Sequence, residues 1–574
     1  MAPKIQAILA LDFGTTYSGV AWAQVSNPSS HYLINEWPVN MSGSIGGMTS
    51  EKVPTEIAFT YERGSPNTVW GFQIPEVMPR LQWFKLGLDP DQKAHIMPAL
   101  AIQHKDWRKM DYPHHATPET VTTDYLRALT QHVHKLLKAQ LGVAFDSMSF
   151  SYVITVPAMW SEKAKAELRK CAENAGLGDC SSICIISEPE AAAIHALRAS
   201  NPTNLQAGDT VLLIDAGGGT VDLITFTIEQ RLPILKLRES AAGTGAYCGS
   251  TYLNRRFEDF IRQRLESCSG WDQDTLEQAM MRFEACAKRT FTGDTSDDFH
   301  FPVPGIPDDE GLHVRRGFLR VTGEEMREIF VPVLDVTVQL ALHQIRSSKS
   351  PVKTVLIVGG FGQNQFLRQH VRDNIPSSVT VLAPPDGWTA VVKGALAKML
   401  SSCTSLAPQI SIQTRVARKH YGFQIKVPFN PLQHDESRKY VDPFYGQFYI
   451  LVMNWFIRKG DEIDETRPII TRWWKQQLKS QGRPTTIQVS FYEYDGPDDV
   501  EAPLYLNDDL RMHARLDTTF DPTLRLKIPL QRGRDGNDHY NTSFEFHAHY
   551  FSAHCQVSLW FEGQHHGAVQ ITYV

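Results

Sequence analysis

The feature that most constrains this chain is a short pattern that occurs twice: an apolar run, an aspartate, a glycine turn and a threonine. The first copy, LALDFGTTY, places the aspartate at Asp12, and the second, LLIDAGGGT, places it at Asp215. Self-similar segments at a fixed separation are typical of repeated structural units. The pattern therefore predicts a duplicated α/β body with a cleft between its two halves.

Between and after these copies, apolar strands alternate with amphipathic helices, which is typical of parallel sheets covered by helices on both faces. SFSYVITVP reads as a strand, and residues 161–175 read as a helix with Ser161 as its N-cap. Beyond Leu400 the chain changes to short strands such as FYILVMNWFI, which predict an all-β unit. We expect a two-lobed α/β domain over 1–402 (lobes of about 1–190 and 191–402), a linker over 403–420, and a β-sandwich-like domain over 421–574.

Composition excludes several classes of function. The formal net charge of −6 gives no basic field that would attract nucleic acid. The longest apolar segment, residues 444–457, is interrupted by polar residues and is shorter than the ~20 residues of a spanning helix. The apolar stretch after Lys4 ends at Asp12, before a signal peptide could form. We expect a monomer with no nucleic-acid partner and no membrane span, located in the cytoplasm and alternatively also in the nucleus.

Both repeated loops have the composition of a phosphate-binding turn. Small residues let the backbone approach phosphate oxygens closely, and successive backbone N–H groups present positive dipole ends. Asp12 and Asp215 are placed to hold a hydrated Mg²⁺ largely through water. The predicted phosphate ligands are Gly14, Thr15 and Thr16 in the first loop and Gly217, Gly218, Gly219 and Thr220 in the second.

Further segments, in their order along the chain, strengthen one interpretation. They are VITVPAMWSEKAKAELRKCAENAGL, ISEPEAAAIHAL, RFEACAKRTF, VLIVGGFGQNQFL and AVVKGALAKM. With the two loops they resemble the 70-kDa heat-shock chaperone family, within the actin-like ATPase superfamily, over roughly the first 400 residues. The resemblance implies an actin-like (ribonuclease H-like) ATPase domain, ATP or ADP with Mg²⁺ as cofactors, and slow hydrolysis.

The resemblance also implies a role for individual residues. Lys85 matches the family's lysine that reaches the γ-phosphate, and Glu188 matches a carboxylate that faces the metal and the attacking water. The implied catalytic set is Lys85, Glu188, Asp215, Thr220 and Asp222. The other implied nucleotide contacts are Tyr17, Gly243, Thr244, Gly249, Glu284, Lys288, Arg289, Gly359, Gly360 and Phe361.

Some residues also have plain structural interpretations, and the chain departs from the family pattern. Lys85 is alternatively a solvated helix charge, and Glu284 with Lys288 is alternatively an i,i+4 surface pair. Phe361 and Gln363 stand where the family has a serine and an adenine-stacking arginine. The family's acidic-leucine linker is absent from residues 401–413, and its helical lid has no counterpart.

The sequence and the family resemblance indicate three alternative functions. The first is an ATP-dependent, chaperone-like protein that hydrolyses ATP slowly and binds unfolded or peptide-like protein clients. The second is a nucleotide-sensing regulatory protein that acts through a protein partner with negligible hydrolysis. The third is a metabolite kinase, against which the β-rich C-terminal third argues.

Overall fold

The chain forms two compact units, Met1–Ser411 and Ile412–Val574. The computed structural model describes residues 6–39, 49–62, 65–75, 78–89, 116–179, 182–199, 205–497, 500–519, 522–550, 555–561, 563–566 and 570–573. The boundary between the units lies inside the segment 403–420, which also holds a whole strand, β18 (Ile410–Val416).

Among the described residues, the first half of the N-terminal unit combines a mixed sheet with three α-helices. Its strands are β1 (Ala7–Phe13), β2 (Tyr17–Gln24), β3 (His31–Leu33), β4 (Val53–Pro54), β5 (Glu56–Glu62), β6 (Ser65–Trp70), β7 (Leu81–Gln82), β8 (Phe150–Val156) and β9 (Ile183–Ser187). Its α-helices are α1 (Pro118–Leu141), α2 (Glu162–Asn174) and α3 (Glu188–Ala199), and a 3₁₀ turn covers Phe84–Leu88. The predicted N-cap is confirmed, because the Ser161 side chain accepts a hydrogen bond from the Ala164 N–H.

The second half of this unit repeats the mixed sheet and adds more helices. Its strands are β10 (Thr210–Ala216), β11 (Val221–Gln230), β12 (Leu235–Ala246), β13 (Asp298–Pro302), β14 (Val314–Arg315), β15 (Phe318–Thr322), β16 (Val352–Val358) and β17 (Thr380–Leu382). Its α-helices are α4 (Thr251–Leu265), α5 (Gln273–Arg282), α6 (Lys288–Thr290), α7 (Gly323–Ser347), α8 (Gln365–Asn374) and α9 (Ala390–Cys403). A π-helical turn, Phe283–Ala287, joins α5 to α6.

The two halves have the same sheet topology. The strand order is β3-β2-β1-β8-β9 in the first half and β12-β11-β10-β16-β17 in the second. In each half the first strand pairs antiparallel with the next and parallel with the strand that follows a helical connection. The predicted duplicated α/β architecture is therefore confirmed. Asp12 and Asp215 occupy equivalent positions, each the sixth residue of a buried strand that is seven residues long.

Two helices cross closely beneath these strands. The segments identified by resemblance as connecting segments form α3 and α9, which pack against each other. At the crossing, a Cβ added to Gly394 would lie 1.6 Å from the Ala191 carbonyl oxygen. A side chain at position 394 would force the helices apart, so glycine allows this approach.

Helix α7 passes, by length and composition, the test for a membrane span, and half of the qualifying window is buried within the protein. It begins with a capping box between Thr322 and Glu325. Its residues Phe330, Val333 and Leu334 belong to the main hydrophobic core of the second half. These contacts are typical of a core helix in a folded domain.

The C-terminal unit consists of two antiparallel sheets, as expected for a β-sandwich. Besides β18 and a short helix α10 (Pro522–Arg525), its elements are β19 (His420–Pro428), β20 (Tyr440–Asp442), β21 (Gln447–Ile457), β22 (Glu462–Asp464), β23 (Ile469–Leu478), β24 (Thr486–Tyr494), β25 (Arg511–Thr519), β26 (Leu530–Arg532), β27 (Asp538–Tyr550), β28 (Cys555–Phe561), β29 (Gln564–His566) and β30 (Gln570–Tyr573). One sheet has the order β20-β21-β19-β24-β25-β30 and the other the order β23-β27-β28-β29. Phe423 and Phe491 of the first sheet and Phe546 of the second share one core.

A buried ion-pair network also stabilises this unit. Glu493 accepts from Lys419 Nζ at 2.8 Å and contacts His513 Nδ1 at 2.9 Å. Burial alone would raise the pKa of Glu493, but the hydrogen bond with His513 and the Lys419 charge lower it to about 2. A carboxylate with a depressed pKa stabilises the folded state above its ordinary pKa, and this stabilisation is lost as the pH falls towards 2.

We therefore expect Glu493→Gln to lower the free energy of unfolding of the C-terminal unit by about 1–3 kcal/mol at pH 7. The difference from wild type should shrink between about pH 5 and pH 2, because Glu493 becomes protonated over that range. Hydrogen–deuterium exchange of β19 and β24 peptides at a series of pH values measures it. Glu436→Gln, at an exposed pair with Lys439, is the control and should leave exchange unchanged. A pH-independent difference for Glu493→Gln would contradict the assignment.

Candidate functional site

The two predicted phosphate loops face each other in the N-terminal unit. Residues 14–16 turn between β1 and β2, and residues 217–220 turn between β10 and β11. A Cβ added to Gly218 would lie 2.2 Å from Thr16 Oγ1, and one added to Gly219 would lie 2.5 Å from Thr15 Oγ1. The structure thus brings the two halves of the repeated pattern together, and glycine is required where the threonines approach.

In both phosphate loops, some backbone amides have no acceptor among the described residues. Each carbonyl of residues 217–219 accepts a backbone N–H from residues 249–251, at 2.9 to 3.1 Å. Because the C=O and N–H of a trans peptide point in opposite directions, the N–H groups of residues 218–220 point away from that segment. No described residue accepts a hydrogen bond from these N–H groups or from those of Thr15 and Thr16. Consecutive free N–H groups form a concavity suited to an anion.

Four acidic side chains are buried around the loops: Asp12, Glu188, Asp215 and Asp222. Burial raises the pKa of Asp215 well above its usual value, and the neighbouring Glu188, Asp12 and Asp222 raise it further. Burial likewise raises the pKa of Asp222, against hydrogen bonds from Thr220 and from backbone N–H groups. These shifts show that the negative charge in the cluster is not fully compensated.

Lys85, one of the predicted catalytic residues, is buried beside a carboxylate and two aromatic rings. It lies in the 3₁₀ turn Phe84–Leu88, its side chain is only 1% exposed, and its Nζ is 2.5 Å from Glu188 Oε1. The ammonium also lies over the rings of Phe13 and Trp160, at 5.6 and 5.4 Å from the ring centroids. The alternative of a solvated helix charge is wrong, because the side chain is buried.

Glu188 is the partner of this lysine and the first residue of α3. Burial raises its pKa most, Asp222 and Asp12 raise it further, and Lys85 opposes them. Asp222, in β11 of the second half, accepts the Ala158 backbone N–H at 2.8 Å, and Ala158 follows β8 of the first half. This hydrogen bond therefore joins the two halves. The predicted catalytic residues Lys85, Glu188, Asp215, Thr220 and Asp222 are therefore brought into one buried cluster.

The donor set of this cluster fits a hydrated Mg²⁺ at Asp215. No described side chain donates a hydrogen bond to the Asp215 carboxylate, although the Lys52 charge lowers its pKa against burial and the neighbouring acidic groups. Within the described ranges, no group of His, Cys, Asp and Glu is close enough for direct coordination by protein alone. Mg²⁺ usually keeps several waters and binds few protein carboxylates, which agrees with such an arrangement. Asp12, the other predicted metal ligand, already has a cationic partner, Lys52.

The residues expected near ribose and adenine form a second cluster. Glu284 and Lys288 form an ion pair at the π-helical turn, and Asn254 bonds to both of them. The surface-pair alternative is wrong for Lys288, which is buried and whose pKa burial lowers. Arg289 donates to the Tyr17 hydroxyl at 3.4 Å, so a residue of the second half contacts the first loop.

The predicted adenosine loop is only partly available to a ligand. Gly359 has φ +86, and a Cβ there would lie 2.3 Å from the Ala216 carbonyl oxygen and 2.5 Å from Asp215 Oδ1. Gly360 lies next to it and is exposed. Phe361 was predicted to contact the nucleotide, but its side chain cannot do so, because the residue is 4% exposed and packs in the hydrophobic core. Only its backbone is left to face a nucleotide.

Two other residues that were predicted to contact the nucleotide have hydrogen-bond partners within the protein. The Gly243 N–H donates to Glu239 Oε1 at 3.1 Å, and the Thr244 hydroxyl accepts from Gln344 at 3.1 Å. Both residues lie in β12; the bond to Thr244 comes from Gln344 of α7, whereas Glu239 lies in β12 itself. Residues 249–251, just after β12, contact the second phosphate loop, and among them the Gly249 N–H donates to the Gly219 carbonyl at 3.1 Å.

Sequence reasoning missed two residues at the site. Lys52 is buried, with Nζ 2.6 Å from Asp12 Oδ2. Trp388 lies edge-on to Tyr17, with ring centroids 6.0 Å apart, and a Cβ added to Gly360 would lie 3.6 Å from its indole. Trp388 therefore places an aromatic face beside the adenosine loop. No local pattern around either residue indicates a ligand, because each reaches the site only through the tertiary fold.

Comparisons with known proteins agree with the fold of the N-terminal unit. The Hsp70 protein family model matches residues 92–402, and a domain of unknown function (DUF8568) matches residues 415–489. Heat shock 70 kDa protein 12A of Mus musculus is 24% identical over 495 residues, which cover 68% of each chain. Heat shock 70 kDa protein 12B of Homo sapiens is 23% identical, covering 76% of this chain and 73% of its own length.

One further relative is more distant than these two. Chaperone protein dnaK of Cyanidium caldarium is 20% identical over 398 residues, covering 67% of this chain and 60% of its own. The family match spans more than half of the 574 residues and includes the second phosphate loop, Glu188 and the crossing helices. On this evidence, the chain is a divergent member of the Hsp70 family.

Proposed function

We propose that this protein binds ATP and ADP with Mg²⁺ between the two phosphate loops and hydrolyses ATP slowly. The observation that carries the proposal is the pair of matched strand-end loops whose N–H groups, at residues 15–16 and 218–220, have no acceptor among the described residues. Phosphate oxygens satisfy such N–H groups from both sides. Family membership supports the same ligand.

The buried residues around the loops supply the elements of phosphoryl transfer to water. Lys85 brings a desolvated positive charge that offsets negative charge developing on the phosphate. Glu188 and Asp222 accept hydrogen bonds from the attacking water and so orient it. The Thr220 hydroxyl donates to a phosphate oxygen. The chemistry that bound Mg²⁺ supplies is neutralisation of charge on the phosphate oxygens.

The C-terminal unit is the proposed binding site for unfolded or peptide-like protein clients. Val441 of β20 and Phe448 of β21 face each other in the strand register, and they are 55% and 51% exposed. They lie at the edge of the sheet, where an extended peptide adds as a further strand. A regulatory protein partner held by the same unit is the second candidate, and the burial of Phe361, which leaves only its backbone to face a nucleotide, favours it.

The test is single-turnover hydrolysis of Mg·ATP with the protein in excess, with ATP binding measured on the same samples. We expect saturable binding and a slow release of phosphate. Binding without phosphate release would replace the hydrolysing chaperone by the regulatory candidate. No binding of ATP or ADP would contradict the proposed function.

A further inference from the structure

The Lys52 side chain is built into the nucleotide site as a fixed positive charge. It is 7% exposed, and its Nζ is 2.6 Å from Asp12 Oδ2 at the end of β1. A lysine is rarely so buried unless its charge is paired. Neither the repeated loops nor the residues implied by the family resemblance include it.

Several backbone features hold this lysine in place. It immediately precedes β4, in which Val53 and Pro54 pair with Ser18 and Tyr17 of β2. The Ser50 hydroxyl donates to the Lys52 carbonyl at 2.7 Å and accepts its N–H at 3.4 Å. The direction from which Lys52 enters the site is therefore fixed by the strand pairing.

The stem of Lys52 crosses the sheet at a glycine. A Cβ added to Gly19 would lie 3.2 to 3.6 Å from Cγ, Cε and Cδ of Lys52, so the aliphatic stem lies directly on Gly19. Gly19 pairs in register with Asp12. The missing side chain at position 19 thus opens the path along which the ammonium reaches Asp12.

The position of this charge is also significant. Asp12 was expected to hold the metal together with Asp215, but its Oδ2 is bound to the Lys52 ammonium and its Oδ1 accepts from Thr155 at 3.4 Å. The Lys52 charge also acts on Asp215, whose pKa it lowers against the effect of burial. An ammonium lies where one half of the expected metal site would be.

We propose that Lys52 is a resident phosphate-binding cation that makes nucleotide binding by this chain largely independent of Mg²⁺. The proposal rests on the proposed function and adds a specificity residue to it. An ammonium held at Asp12, two residues before the first phosphate loop, compensates di- and triphosphate charge without a divalent ion. Asp215 remains the carboxylate available to Mg²⁺.

The test is the affinity for ADP, by titration calorimetry, in Mg²⁺ and in EDTA, for wild type, Lys52→Met and Lys353→Met. Lys353, in β16, is the matched control, because its half-exposed side chain forms an ion pair with Asp209. Wild type and Lys353→Met should lose less than about 10-fold in affinity on chelation, whereas Lys52→Met should bind Mg²⁺-free ADP about 10- to 100-fold more weakly. If Lys52→Met does not fold, Lys52→Gln, whose amide still donates to Asp12, replaces it.

A second readout uses Mg²⁺ alone. Removing the ammonium frees Asp12, so MgCl₂ without nucleotide should raise the melting temperature of Lys52→Met more than that of wild type, in which only Asp215 is available. Equal dependence of ADP binding on Mg²⁺ in wild type and Lys52→Met would overturn the inference while leaving the proposed function intact. Absence of ADP binding to wild type in both buffers would overturn the proposed function and the inference with it.

Discussion

Gly359→Ala is expected to weaken ATP binding by at least about 100-fold, because it displaces the end of β10, with Asp215 and the second phosphate loop that follows it. At φ +86 an alanine costs about 1–2 kcal/mol in backbone strain. Its Cβ would in addition lie 2.3 Å from the Ala216 carbonyl oxygen and 2.5 Å from Asp215 Oδ1, so β10 has to shift at its end. ATP affinity by titration calorimetry and thermal unfolding of the same samples measure the effect.

Gly208→Ala separates the effect of backbone strain from the effect of steric contact by the added Cβ. Gly208 has φ +94 and precedes the same strand, but no heavy atom lies within 4 Å of a Cβ added there. This variant should lose stability by a similar strain and keep its ATP affinity within about 3-fold of wild type. Equal loss of affinity in both variants would show that Gly359 acts through general stability and does not position Asp215.

Lys85→Met is expected to reduce single-turnover ATP hydrolysis by about 10²- to 10⁴-fold. The substitution removes the buried charge that faces the phosphate loops and leaves Glu188 without its 2.5 Å partner. Because the loop amides are unchanged, ATP affinity should fall by less than about 10-fold. Pre-steady-state phosphate release and equilibrium binding together separate these effects.

Lys353→Met is the matched control, since it removes the same group from an ion pair whose lysine side chain is 51% exposed. It should hydrolyse ATP at the wild-type rate, because exposed ion pairs contribute little. If Lys85→Met retained wild-type turnover, the lysine would be a structural partner of Glu188 and the catalytic assignment would be wrong.

The duplicated fold was predictable because both halves carry the same local signals. Asp12 and Asp215 end buried strands, and the glycine and threonine that follow them form turns for which few other residues fit. Ser161 was predictable as an N-cap because its side-chain bond to Ala164 is local. The sandwich was predictable from short alternating strands, although no sequence pattern reveals which strands are neighbours.

The parts of the site that sequence could not supply depend on long-range contacts. Lys52 reaches Asp12 only because β4 pairs with β2 and Gly19 leaves room for its stem. Phe361 was assigned to the ligand from its position in the loop, yet its side chain is buried in the core. Trp388 meets Tyr17 across the two halves. Binding of unfolded or peptide-like clients, a monomeric state and a cytoplasmic location stay predictions.

The central claim is that nucleotide phosphates bind the free amides of both loops. Hydrogen–deuterium exchange of peptides covering residues 10–24 and 210–226, with and without saturating ADP and Mg²⁺, tests it most directly. The account predicts slower exchange in both peptides, since phosphate oxygens accept from N–H groups that have no acceptor among the described residues. Unchanged exchange in both peptides under saturating nucleotide would contradict it.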